Sequence, residues 1–414
     1  MVAFLFGITL PVFAAEVSFD SDRMLLVDNE RTFVIGLYEN PVDDNALREV
    51  ADSGFNLVQA SEDTASLDRL HNYGLYGWIN IGGRMELESG SSDGKKQLEE
   101  TVERYGSHPA LLVWEGPDEG LWMCAVHAFQ SGGTLEQMAN SFSGNADALQ
   151  KRLLAGYEKM KQLDPHHPVW LNHAAGNSQE QLAAFGEAAD IVGADIYPLM
   201  PYPTQPIDIS RRGLAWVGLC AAKMQGSAPG KPVWMVLQGM SWGDFENEVF
   251  TLKPQPGQWP TFEESRFMAY DAIVRGSRGV LYWGTHITKK ESECWKGITK
   301  VIRELADNQP LLTAYDADVT PAINTAILGI VPFNPGGNSI GVQVLGKKVD
   351  GSVWWIVVNE FFVPVSCTLS GLDAFEGTTY TETSTDMNTV VKRGSLTCSL
   401  PAYGVHILRP KGQD

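Results

Sequence analysis

Three carboxylates crowd into the stretch HPALLVWEGPDEGLW, His108 to Trp122: Glu115, Asp118 and Glu119. Carboxyl groups at close quarters can divide the roles of proton donor and acceptor, because each raises the pKa of its neighbour. The run Ala110 to Trp114 is continuously apolar and reads as a short buried strand. It stops at Gly116-Pro117, a pair that ends regular structure. The acids therefore stand at the carboxyl end of a buried strand, where an unpaired charge is too costly to be ordinary core. A salt-bridged loop and an acid-rich helix start are the two structural roles that compete with chemistry here. The surrounding strands weigh between them.

From Phe33 to about Gln309 the sequence alternates strand-like and helix-like segments. FVIGLYEN is followed by NALREVADSG, FNLVQAS by SLDRLHNYG, and YGWINIG by KKQLEETVERYG. ALLVWEGPDE leads, after an insertion, to DALQKRLLAGYEKMKQLD, PVWLNHAAG to SQEQLAAFGEAA, and DIVGADIYP to GLAWVGLCAAKM. PVWMVLQGMSW and GVLYWGTHI complete the series, each with its own helix. Eight β-then-α units predict an α/β chain closed as a (β/α)8 TIM barrel. An open doubly wound sheet fits less well, since no glycine-rich phosphate loop follows the first strand. The insertion Met123 to Ala146, rich in Gly, Ser and Asn, reads as a loop over the site. After Pro310 the runs shorten to AILGIVPF, SIGVQVLGK, SVWWIVVNE and VSCTLSG with turn residues between, which predicts a C-terminal antiparallel β-sandwich. The expected division is 1–15, an apolar secretory leader ending in small residues; 16–310, the barrel; and 311–414, the sandwich.

In a barrel the strand ends build the site. Those ends offer Glu39, Asn80, Asn172, His173, Asp195, Tyr197, Gln238, Trp242, Trp283 and His286. Aromatic faces stack on the CH faces of a pyranose, and amides and carboxylates bind its hydroxyls. A neutral carbohydrate is the expected partner. A formal charge of −19 argues against nucleic acid and anionic lipid, and no later segment has the apolar length of a membrane span. The histidines lie on different strands without close acids, so no metal or other cofactor is expected. Of the five cysteines, Cys367 and Cys398 lie on strand-like segments and can pair if the protein is secreted or periplasmic; Cys124, Cys220 and Cys294 read as buried small hydrophobes.

The strand order, the acid in WEGPDEG, the segment KPVWMVLQGMSW, the YWG of the eighth strand and the terminal β-region resemble glycoside hydrolases of the large (β/α)8 retaining clan, clan A. The resemblance implies hydrolysis of an oligo- or polysaccharide, β-linked in expectation, with Glu119 as general acid/base and Asp118 where the clan generally has Asn. Gln238 stands where the clan has its nucleophilic Glu, and an amide cannot serve as that nucleophile. Asp195, Glu39, Glu115 or Asp244 must then supply a second carboxylate. Alternatively, Asp118-Glu119 resembles the Asp-Glu pair of β-hexosaminidases, where the substrate acetamido group is the nucleophile. A third reading is a barrel that binds glycan without cleaving it.

Overall fold

The computed structural model describes residues 14–41, 43–88, 92–199, 213–244, 258–327 and 340–412. Three short antiparallel strands open the chain: β1 (Val17–Phe19), β2 (Leu25–Val27) and β3 (Glu30–Thr32). Eight parallel strands then close a barrel: β4 (Val34–Leu37), β5 (Leu57–Gln59), β6 (Tyr76–Asn80), β7 (Leu111–Glu115), β8 (Val169–Ala174), β9 (Ile191–Ile196), β10 (Val233–Gln238) and β11 (Gly279–Trp283). Each pairs with the next in sequence and β11 returns to β4.

The helices between them are α1 (Asp44–Ser53), α2 (Thr64–Asn72), α3 (Ser92–Tyr105), α4 (Gly120–Gln130), α5 (Leu135–Leu163), α6 (Gln179–Gly186), α7 (Trp216–Ser227), α8 (Phe262–Val274), α9 (Glu293–Asp307) and the short α10 (Gln309–Leu312). Burial explains the apolar strands: β8 and β10 are buried at every position, with barrel interior on one face and helices on the other. Inside, Trp78, Trp170 and Trp234 form a cluster that Val17, Leu25 and Val27 join. Because β3 runs directly into β4, the opening sheet covers the amino ends of the barrel strands and leaves the carboxyl ends open. Ala15, at the expected leader cleavage point, is buried in the same cluster; residues 1–13 of that leader lie outside the described residues.

The insertion Met123 to Ala146 is not a loop. It is the end of α4, a turn at Gly132-Gly133 and the first turns of α5. A capping box starts α5, the Thr134 side chain accepting from Gln137 and Gln137 bonding back to the cap backbone. Phe142 and Ala146 pack against the core. Polar composition concealed a helix that one amphipathic face stabilises.

The C-terminal region pairs a six-stranded with a three-stranded antiparallel sheet. Its strands are β12 (Tyr315–Asp316), β13 (Ala322–Ala326), β14 (Val342–Val349), β15 (Ser352–Asn359), β16 (Val365–Ser370), β17 (Thr379–Glu382), β18 (Asn388–Val390), β19 (Ser395–Leu400) and β20 (Val405–Pro410). The larger sheet runs β12-β14-β15-β20-β17-β18 and the smaller β13-β16-β19. Alternation divides β15: Trp355 and Val357 point to the smaller sheet, while Ile356 and Val358 join the barrel core. Trp354 packs on that barrel side and is only partly exposed. A bidentate Arg275–Glu360 pair, at 2.8 Å for two of its bonds, ties α8 to the end of β15.

Cys367 and Cys398 are free thiols directly opposite each other on β16 and β19. Opposed residues of an antiparallel pair have Cα atoms roughly 4.5–5.5 Å apart, within the range a disulfide needs. The neighbouring Cys367 thiol, and His406 beside it, lower the pKa of the Cys398 thiol despite burial. The Cys398 thiolate can attack oxidised glutathione, expelling glutathione thiolate; Cys367 then displaces the second glutathione. Oxidised glutathione is therefore expected to remove two hydrogens from the intact mass and raise Tm. Closing a loop of this length corresponds to roughly 3–4 kcal/mol. Cys367→Ser should abolish both changes.

Candidate active site

At the carboxyl end of the barrel, among the described residues, lies a cavity of about 920 Å³. Its wall includes Tyr38, Asp118, Glu119, Asn172, Asp195, Tyr197, Trp242 and Trp283. β7 sets the position of the acids. Gly116 continues the pairing, its N–H donating to the Trp170 carbonyl at 2.9 Å. A Cβ at Gly116 would meet Leu171 Cδ2 at 2.4 Å, so any larger residue would have to displace the buried Leu171 side chain. Glu119 follows with φ of 50°, a left-handed conformation uncommon for a residue with a side chain. It sits at the N-terminus of α4 without capping it, and its N–H donates to the Asn172 carbonyl at 3.1 Å. The cap function is given up, and the carboxyl is turned into the cavity instead.

Glu119 and Asp195 are neighbours on the cavity wall, close enough for each to act on the other's ionisation. Burial raises both pKa values; the charges of Glu119 and Asp118 push Asp195 further up, while Asp118 adds to the rise at Glu119. Because each carboxyl acts on the other, their titration belongs to the pair. Asp118 faces the open cavity and accepts from Asn172 Nδ2 at 2.9 Å; burial among protein groups raises its pKa too. The aromatic wall is ordered around Tyr197, which stacks on Trp283 at 5.2 Å and 21° and meets Trp242 edge-on at 6.0 Å and 64°. Trp242 Nε1 donates to the Tyr197 carbonyl at 3.2 Å.

Several strand-end residues with the right chemistry do not reach the cavity. Glu115 is fully buried below it, accepting from the Tyr38 hydroxyl, from Trp78 Nε1 at 2.9 Å and from Asn80 Nδ2 at 2.8 Å. Asn80 is thus committed to Glu115 and does not line the wall. Glu39 is held by Lys290 Nζ at 2.8 Å and Thr285 Oγ1 at 2.6 Å. Gln238 is fully buried: its carbonyl accepts from the Leu199 N–H at 2.9 Å and its amide donates to the Met240 carbonyl at 3.1 Å. It fixes the backbone beyond β9 and β10 rather than meeting a ligand. His173 points outward from β8 onto Phe185, ring centres 6.0 Å apart, and burial lowers its pKa to about 4, so it is a neutral core side chain. His286 is exposed and meets the edge of Trp283, at 5.8 Å, outside the cavity wall. Asp244 accepts from the Ser241 N–H and from Trp259 Nε1. Arg211 and Arg212, to which the sequence would allow a salt bridge from Asp195, lie outside the described residues.

Sequence reading also missed wall residues. Trp216, Leu219, Cys220 and Lys223 come from α7, and Trp122 from α4. Among the described residues no group of His, Cys, Asp and Glu is arranged to hold a metal ion, and no helix is long and apolar enough to cross a membrane.

The buried Glu115 carries a pH consequence. Burial and then the Asp118 charge push its carboxyl up to about 8, against the three hydrogen bonds that pull it down. The unfolded chain releases this proton near 4.5 while the folded protein keeps it. The resulting loss of stability accumulates as pH rises from about 4.5 to about 8 and levels off above. Thermal unfolding across that interval should show Tm falling with pH, and Glu115→Gln should make the fall shallower; an identical slope in the variant would contradict the assignment.

No family model and no curated protein matches the sequence. Solved structures do match. A catalytic mutant of Gan42B, a GH42 β-galactosidase from G. stearothermophilus, aligns 92% of this chain with 98% of its own at 10% identity and TM-score 0.57. A β-galactosidase from Bacillus circulans sp. alkalophilus aligns 91% with 98% at 11% identity and TM-score 0.56. The chain spans 61% of the β-galactosidase from the psychrophilic Marinomonas ef1, at TM-score 0.49. At such identities the likeness is one of fold: the closed parallel barrel with its antiparallel C-terminal region is that of GH42 β-galactosidases.

Proposed function

We propose that this protein is a glycoside hydrolase acting on a neutral, β-linked sugar, with Glu119 as general acid/base and Asp195 as the second carboxylate. The observation that carries this reading is that Glu119 and Asp195 stand together on the wall of one aromatic cavity. A pyranose against Tyr197, Trp242 and Trp283 places its linking oxygen at Glu119. The proton of Glu119 passes to that oxygen as the bond to the anomeric carbon breaks, with Asp195 ionised. Asp195 then bonds the anomeric carbon. Water attacks that carbon in the second step, Glu119 takes its proton, and Asp195 is released as carboxylate.

The mutual effect of the two carboxyls on their ionisation supports a short separation and with it a retaining outcome, since a retaining pair stands roughly 5–5.5 Å apart and an inverting pair roughly 6.5–9.5 Å. The substrate-assisted reading keeps one specific support: Asp118 faces the cavity beside Glu119, oriented by Asn172. Comparing Asp195→Asn on glycosides with and without a 2-acetamido group separates the two. Loss on the plain sugar supports Asp195 as nucleophile; unimpaired turnover of the acetamido sugar alone supports Asp118. A secreted or periplasmic location belongs to the same proposal, supported by the apolar leader and tested by N-terminal sequencing of protein recovered from the cell exterior.

A further inference from the structure

The cavity has two unlike flanks. One holds the carboxyls, Asn172 and the Tyr197–Trp242–Trp283 group. The other is built from α7 at spacing i, i+3, i+4, i+7: Trp216, Leu219, Cys220 and Lys223. That spacing marks one face of a helix. An apolar stripe of this kind ordinarily faces a core; here it lines the cavity, continued by Trp122 from α4, by Ala174 at the end of β8 and by Ala175 after it. Trp216 is 40% exposed and Trp122 is 43% exposed, so among the described residues both carry large uncovered apolar faces. The cation of the stripe is already committed: Lys223 Nζ donates to the carbonyls of Ala175 and Asn177, the latter at 2.7 Å. Among the described residues this flank therefore presents almost no hydrogen-bonding group to a ligand.

A second sugar would be poorly served there, since its hydroxyls would lose water without gaining partners. An apolar group would gain from burial. A volume of about 920 Å³ lies in the upper part of the range that holds a drug-sized molecule and exceeds what one pyranose fills.

We propose that the α7 flank is a subsite for an apolar aglycone, so that the substrate is a glycoside of an apolar alcohol or phenol rather than an oligosaccharide. This inference rests on the hydrolase reading above. The test is a series of methyl, butyl and hexyl β-glycosides of one sugar, whose alcohol leaving groups have nearly equal acidity, beside the matching disaccharide. Burial of each methylene is worth about 0.8 kcal/mol, close to fourfold. kcat/KM for the hexyl glycoside is expected to exceed that for the methyl glycoside by at least tenfold, and to exceed that for the disaccharide. Trp216→Ala and Leu219→Asn should each shrink the hexyl-to-methyl ratio of kcat/KM severalfold, by lowering the hexyl value more than the methyl value. Equal rates along the series, or preference for the disaccharide, would overturn the inference while leaving the hydrolase reading intact. Should the protein cleave none of them, the hydrolase reading falls. Calorimetric binding of hexyl against methyl β-galactoside and β-glucoside then still decides the flank: tighter hexyl binding that Trp216→Ala removes supports it, and equal binding overturns it.

Discussion

Glu119→Gln is expected to lower kcat/KM for alkyl glycosides by about a thousandfold, within the range of roughly 10²–10⁴ that a positioned general acid supplies. The loss should depend on the leaving group. An alkoxide must be protonated as it departs, whereas dinitrophenolate leaves unaided, so dinitrophenyl glycosides should retain far more of their rate in the first step. Folding should survive: Glu119 makes no capping bond to α4, and Gln keeps its size. Circular dichroism and Tm would be measured on the same preparation. A variant that is folded and as active on alkyl glycosides as the parent would remove Glu119 from the role of proton donor.

Asp195→Asn should be nearly as damaging, about a hundredfold or more in kcat, and its pH profile carries the sharper information. In the parent, activity needs a pair holding one proton, so the profile has an acid limb and a basic limb that both belong to the pair. The amide introduced by Asp195→Asn cannot share a proton, yet it can still donate a hydrogen bond to Glu119. That bond favours ionised Glu119 and lowers its pKa. The basic limb should therefore move to lower pH in the variant. A basic limb left in place would mean that Asp195 and Glu119 do not titrate together.

The barrel was legible because short apolar runs alternate with helix-length segments, several of them amphipathic, and both signals are local. The Asp118-Glu119 turn was legible for the same reason, since Gly-Pro ends the run within the chain itself. What sequence misplaced is what distance and direction decide. Asn172 and His173 are neighbours on one strand and must point to opposite faces, so one reaches the cavity and the other the helix layer. Glu39 is withdrawn by Lys290, whose place in the chain gives no hint of contact. Glu115 differs from Glu119 by four positions, yet it ends the strand facing inward and is covered by Tyr38, Trp78 and Asn80. The α7 stripe was missed because helical spacing reads the same whether the face meets core or cavity. Gln238, where the resemblance places a nucleophile, has both ends of its amide bound to backbone, which gives it a structural role that composition cannot reveal.

The most direct test of the hydrolase reading is turnover by the unaltered protein on a panel of nitrophenyl glycosides, including β-galactoside, β-glucoside and the 2-acetamido sugar, with sugar binding followed calorimetrically on the same samples. The expected result is nitrophenol release from at least one member, with a bell-shaped dependence on pH. Sugar that binds in the cavity and is never cleaved, at any pH, would contradict it.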